Sequence, residues 1–129
     1  MIQSIILSCA SILLFMHAFL SFNVSKHRVG VRTDPESDQR NIELRKAIRA
    51  HGNASEYNAI FIALFLYFSL TDISYITVAV CVAATACRVI HAIGLLRIQN
   101  VGDRHPLRYF GALGTYAVLL VFAVIIVVG

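Results

Sequence analysis

Glu56, Arg88 and His91 stand out because each is an ionisable group set against long apolar stretches of the chain. Such groups are costly in a membrane-spanning helix and usually face a bundle interior or a wet cavity. Arg88 precedes Arg97 and Glu56 follows Arg49 by spacings that put both roughly 10–13 Å inside the same end of their helices, at 1.5 Å per residue. An Arg88–Glu56 ion pair is one expectation, and it would satisfy both charges without any ligand. The neighbours point further. Arg45, Arg49, Gly52, Asn53 and Glu56 fall within about 100° of arc on one helix. Arg88 and His91 are i,i+3 neighbours with Ala84 and Ala92 on the same side, and small residues there let another helix approach closely. Arg108, Ala112 and Thr115 share a face of a further helix, with Tyr116 next to it. Three such stripes turned inward would form a pocket rich in arginine with one carboxylate, one amide and one imidazole. That set suits a small anionic ligand that also offers an ammonium group to Glu56.

Other polar residues have plainer readings. Arg45, Lys46 and Arg97 suit topology anchors or phospholipid contacts. His51 points about 200° from Arg49, off the stripe, and suits a capping or interfacial role. His17 reads as a satisfied interhelical histidine. His17, His51, His91 and His105 lack metal-ligand spacing such as His-x-x-x-His, so no metal is expected. Cys9, Cys81 and Cys87 sit in apolar runs and read as inert thiols. The Phe and Tyr side chains are expected mostly as lipid-facing or interfacial fillers. Asn23-Val24-Ser25 and Asn53-Ala54-Ser55 match the glycosylation sequon but fall at a cytoplasmic boundary and are discounted.

The elements that must position these groups follow from composition. The 129 residues are 58% hydrophobic and 14% charged, against about 25% charged in a soluble domain. That excludes a disordered chain and argues against a soluble domain. Three cysteines in apolar runs exclude a disulfide-stapled module. The chain reads as one all-α integral membrane domain over residues 1–129, a four-transmembrane-helix bundle with helices at about 2–24, 42–70, 73–97 and 107–128. The first stretch lacks a positive n-region and runs too long for a signal peptide. Residues 25–43, with Gly30 and Pro35, read as a solvated connection. Residues 100–106 read as a turn, with Pro106 suited to the start of the fourth helix. Ten of the 11 Lys and Arg residues lie in two segments on one side of such a bundle. By the positive-inside rule the loops at 25–53 and 97–108 are cytoplasmic and both termini lie on the opposite side. The positive charge is therefore a topology feature, and no nucleic-acid partner is expected.

Three blocks carry a resemblance. Arg49-Ala50-His51-Gly52-Asn53-Ala54-Ser55-Glu56-Tyr57, then Arg88-Val89-Ile90-His91, then Pro106-Leu107-Arg108 resemble the MAPEG family, the membrane-associated proteins in eicosanoid and glutathione metabolism. The resemblance covers the whole chain, and its short loops are similar to those of the bacterial branch, which would place the protein in a bacterial inner membrane. It implies a homotrimer of four-helix subunits binding glutathione as cosubstrate between neighbouring subunits near the cytosolic face. Arg49, Asn53 and Glu56 would hold the peptide's charged ends, and Arg88 and His91 would continue the wall. Arg108 would stabilise the glutathione thiolate for attack on a lipophilic substrate arriving through the bilayer. The implied activity is a glutathione-dependent transferase or peroxidase. The alternative is a non-catalytic membrane protein of the same scaffold that binds a lipid or another anionic ligand. Gly52 stands where eicosanoid-type members carry another arginine, Leu95 where some have a tyrosine, Ala59 where a proline is common, and Tyr109 where a small hydroxyl residue follows the arginine. A small multidrug transporter would need an acidic residue in the middle of the first helix, and none is there.

Overall fold

The computed structural model describes residues 2–71, 74–100 and 102–128. Ile73, the expected first residue of the third helix, lies outside them. Among the described residues four helices follow in order: α1 (Ile2–Thr33), α2 (Asp38–Ser69), α3 (Tyr75–Arg97) and α4 (Pro106–Val128). Three of them, α1, α3 and α4, are long and apolar enough to cross a membrane. At 1.5 Å per residue the 32-residue α1 and α2 are about 48 Å long, well beyond a hydrocarbon core of about 30 Å.

That length corrects the expected connection at 25–43. The chain stays helical to Thr33 and resumes at Asp38, so only four residues join the two helices. Gly30 alone does not stop a helix, since it costs only about 1 kcal/mol relative to alanine. Pro35 is the first strong breaker. What keeps the segment helical is a stripe that continues past the apolar run: Leu20 and Val24 are buried, and His27 and Val31 are half-buried at the same spacing. The turn is tied from α2, where Arg40 Nη1 donates to the Gly30 carbonyl (2.9 Å) and to Thr33 Oγ1 (2.8 Å). Ser37 caps α2 by accepting from the Arg40 amide, and Lys46 is buried on its own helix neighbour Glu43 at 3.0 Å rather than anchoring to lipid.

The sequence expectation of lipid-facing aromatics fails for four phenylalanines. Phe61, Phe65, Phe68 and Phe122 are at most 4% exposed, with Phe122 ring centroids 6.1, 6.2 and 5.6 Å from the other three. Phe61, Phe65 and Phe68 lie at i, i+4 and i+7 on α2, the inner stripe of an amphipathic helix. These rings fill the half of the bundle nearer the α2–α3 connection, with Ile6, Leu13, Val78, Cys81 and Val118 around them. A smaller cluster of Leu20, Ala50, Ala54, Ala92, Leu95 and Ile98 packs the basic end.

Helix α3 is the hub, packed against all three others, while α2 and α4 approach one another only through side chains. Two glycines let α3 and α4 touch backbone to backbone. A Cβ at Gly94 would collide with the backbone of Arg108, and one at Gly111 would lie 2.6 Å from the backbone nitrogen of His91. The pairing is reciprocal, each helix supplying the glycine that faces the other's chemistry-bearing residue. Close α3–α4 contact beside a gap between α2 and α4 leaves an open wedge at the basic end.

Candidate functional site

Arg88 is 1% exposed, the largest fully buried side chain among the described residues. A guanidinium cannot be stripped of water without replacement partners. Its Nη2 donates to Asn53 Oδ1 at 2.6 Å and to the Asn53 carbonyl at 3.3 Å, and Nη1 donates to Thr115 Oγ1 at 3.4 Å. Its Cζ lies 4.9 Å from the centre of the Tyr57 ring, within range of a cation–π contact. Its Nε has no hydrogen-bond partner among the described residues. The expected Arg88–Glu56 pair is not formed. Asn53 flanks the buried Ala54–Asn58–Phe61 stripe, whereas Glu56 points to the outside of the subunit and is exposed.

The same geometry corrects the expectation of an inward stripe on α2. Arg45, Arg49 and Glu56 are all exposed, and Gly52 and Asn53 half-buried, because the small and aromatic residues of the opposite face took the interior. Only the Asn53 edge of the stripe reaches α3. Glu56 makes no ion pair or hydrogen bond within the subunit among the described residues.

His91 is 6% exposed and its Nδ1 lies 2.8 Å from the Arg108 carbonyl oxygen. A carbonyl only accepts, so Nδ1 carries the proton, and Nε2 of the neutral ring is an acceptor. Arg108 is the third residue of α4, and its Nη1 donates to the Asp103 carbonyl at 3.0 Å. Asp103 in turn orders the connection, its Oδ2 accepting from the Asn100 amide at 2.7 Å. His105 occupies the position before Pro106, and its Nδ1 accepts from the Leu107 amide at 3.2 Å. It therefore serves as the N-cap of α4, satisfying an amide that has no partner within the helix.

These pieces wall a cleft of about 1040 Å³, at the upper end of the ~300–1,000 Å³ of small-molecule sites. Arg49 and Asn53 of α2, His91 and Leu95 of α3, and Arg108, Tyr109, Ala112 and Tyr116 of α4 line it, with Gly102, Arg104, His105 and Pro106 at the rim. Four of the six residues singled out from sequence, Arg49, Asn53, His91 and Arg108, thus share one cleft. Arg88 sits behind Asn53 and gives the cleft no surface; Glu56 lies around the outside of α2. Sequence reasoning missed Arg104 and His105 as lining residues. A histidine directly before the proline that opens a helix was the sign available for His105. Three arginines in a cleft with neutral hydrogen-bonding side chains and an apolar Leu95–Ala112–Tyr116 edge fit an anionic head with a less polar tail.

His17 and His51 pack together across α1 and α2, ring centroids 4.9 Å apart, and His51 Nε2 lies 2.9 Å from Ser21 Oγ. His17 thus lies in an interhelical contact, whereas His51, in the middle of α2, caps no helix and instead faces α1. No group of three or more metal-ligating side chains occurs among the described residues.

Comparison with curated proteins and with solved structures returns no match. The family model described as "MAPEG family" matches residues 6–128. With that match running from the second turn of α1 to the last residue of α4, over a helical membrane bundle of the expected order, this chain belongs to the MAPEG family.

Proposed function

We propose that the protein is a glutathione-dependent transferase or peroxidase acting on lipophilic electrophiles or hydroperoxides. The observation that carries this reading is the convergence of Arg49, Asn53, His91 and Arg108 on one cleft at the basic end. Glutathione, bound as cosubstrate, supplies the thiol nucleophile. The Arg108 guanidinium at the sulfur favours its anion and so activates it. Arg49 binds a peptide carboxylate as a planar two-donor partner. Asn53, held rigid by the buried Arg88, positions the peptide backbone. The apolar edge of Leu95, Ala112 and Tyr116 admits the second substrate from the bilayer.

The same reading assigns the outward face of α2 to a neighbouring copy. Glu56 lies about 20 Å from the far end of α2, within the depth of a bilayer core. A carboxylate facing hydrocarbon there is costly. In a homotrimer the adjacent subunit would cover Glu56 and Arg45 and complete the site, with Glu56 receiving the glutathione ammonium. The basic end would face the cytoplasm, both termini the other side, of a bacterial inner membrane.

The test is activity of the purified protein in detergent with chlorodinitrobenzene and with a lipid hydroperoxide, with and without glutathione. Turnover that needs glutathione and is lost in Arg108→Ala, with the oligomer intact, supports the proposal. No turnover of either substrate, with a thermal shift from anionic lipid but none from glutathione, would select the non-catalytic binding protein instead.

A further inference from the structure

We propose that His91 is the positioning residue of Arg108, acting through the Nδ1–H it donates to the Arg108 carbonyl rather than through the ligand. This rests on the cleft being a glutathione site, and it adds a role that the cleft wall alone does not require. Three contacts fix the crossing of α3 and α4 at this point. Gly94 of α3 lies under the Arg108 backbone, Gly111 of α4 lies under the His91 backbone, and the 2.8 Å hydrogen bond joins the two residues between them. The glycines set how closely the helices approach. They are non-directional, so they leave α4 able to slide or turn. The hydrogen bond is directional and removes that freedom.

Arg108 is then held at both ends: its main chain by His91, and its guanidinium by the Asp103 carbonyl at 3.0 Å. The arginine is presented from a helix's first turn, which frays readily when nothing ties it. A shift of ~1 Å in an activating group can cost about 100-fold in rate. A buried imidazole that spends its only proton on a main-chain carbonyl is well placed to prevent such a shift.

The two ring nitrogens make the proposal separable from a direct ligand role. Asparagine at 91 places its amide nitrogen near the Nδ1 position, whereas glutamine places its amide near Nε2. We would compare His91→Asn, His91→Gln and His91→Phe in the full-length protein. The first readout is hydrogen exchange of the α4 amides at 110–113 without ligand. Loss of one hydrogen bond predicts about tenfold faster exchange in the Gln and Phe variants and near wild-type exchange in Asn. The second is the ultraviolet absorbance of bound glutathione thiolate as a function of pH. The thiol pKa should rise toward its free value in Gln and Phe, with kcat falling about tenfold or more and the KM for glutathione little changed, while Asn rescues both. Retention of function by Gln and its loss in Asn would overturn the proposal in favour of a direct contact through Nε2. Unchanged exchange in Gln would overturn it as well. If His91→Phe fails to fold against Gly111, the Asn–Gln comparison decides alone. Should the wild type bind no glutathione, the proposed function fails, and the exchange order still decides whether His91 ties down the first turn of α4.

Discussion

Replacing a glycine by alanine should have opposite effects at two positions of this protein. At Gly111 the new Cβ would lie 2.6 Å from the His91 nitrogen and 2.7 Å from its Cα and Cβ. Carbon atoms in good contact sit about 3.5–4.0 Å apart, so α3 and α4 must separate by roughly 1 Å. Two of these atoms are backbone and the third is a Cβ fixed to it, so none can rotate away. Overpacking of this kind typically costs about 1–3 kcal/mol. At Gly30 nothing lies within 4 Å of the added methyl, and the residue is inside α1. There only the helix preference for alanine acts, a gain of about 0.5–1 kcal/mol. That preference is common to both substitutions, so their difference isolates the helix contact at about 1–3 kcal/mol. The assay is thermal unfolding of Gly111→Ala and Gly30→Ala in the same detergent, followed by circular dichroism. Gly30→Ala should melt above wild type and Gly111→Ala below it. A shift of the same sign and size in both would refute the close α3–α4 crossing, and with it the placement of Arg108 by α3.

Asn53→Ala removes the acceptor 2.6 Å from Arg88 Nη2 and leaves a buried cation short of a partner, so it should destabilise by about 3 kcal/mol in chemical unfolding; Asn53→Asp should be tolerated far better. Phe122→Ala opens a cavity among Phe61, Phe65 and Phe68, and should cost about 3 kcal/mol, the low end of the range for such truncations, because lipid tails are as apolar as the core. Glu56→Gln should leave the unfolding midpoint of the dissociated subunit within about 0.5 kcal/mol of wild type, as befits a surface substitution, while weakening glutathione binding in a calorimetric titration of the oligomer.

The fold was legible wherever hydrophobic run length decides it. The third and fourth helices begin and end within two residues of where the apolar runs and Pro106 put them. It was illegible where a helix continues out of the membrane, because 25–33 is polar enough to read as a loop and is held helical by packing on α2. The candidate cleft was legible by residue type more than by direction. Arg49, Asn53, His91 and Arg108 share a cleft, yet a stripe of charge on α2 does not reveal which way it faces. The interior went to the opposite, Ala54–Asn58–Phe61–Phe65 face, which is small at one end and aromatic at the other. That choice moved Glu56 outward and passed Arg88 to Asn53. Partners chosen by rotation about a helix axis need the neighbouring helices, and spacing along one chain does not contain them.

The central proposal, a cleft that holds glutathione as its thiolate against Arg108, is tested most directly by proton release on binding. Calorimetric titrations of glutathione into the detergent-solubilised oligomer, repeated near neutral pH in buffers of different ionisation enthalpy, count the protons exchanged. Because the free thiol is mostly protonated at that pH, binding as a thiolate should release close to one proton in the wild type. Arg108→Ala should bind with weaker affinity and release almost none. Tight binding without proton release in the wild type, or equal release in both proteins, would contradict the role given to Arg108.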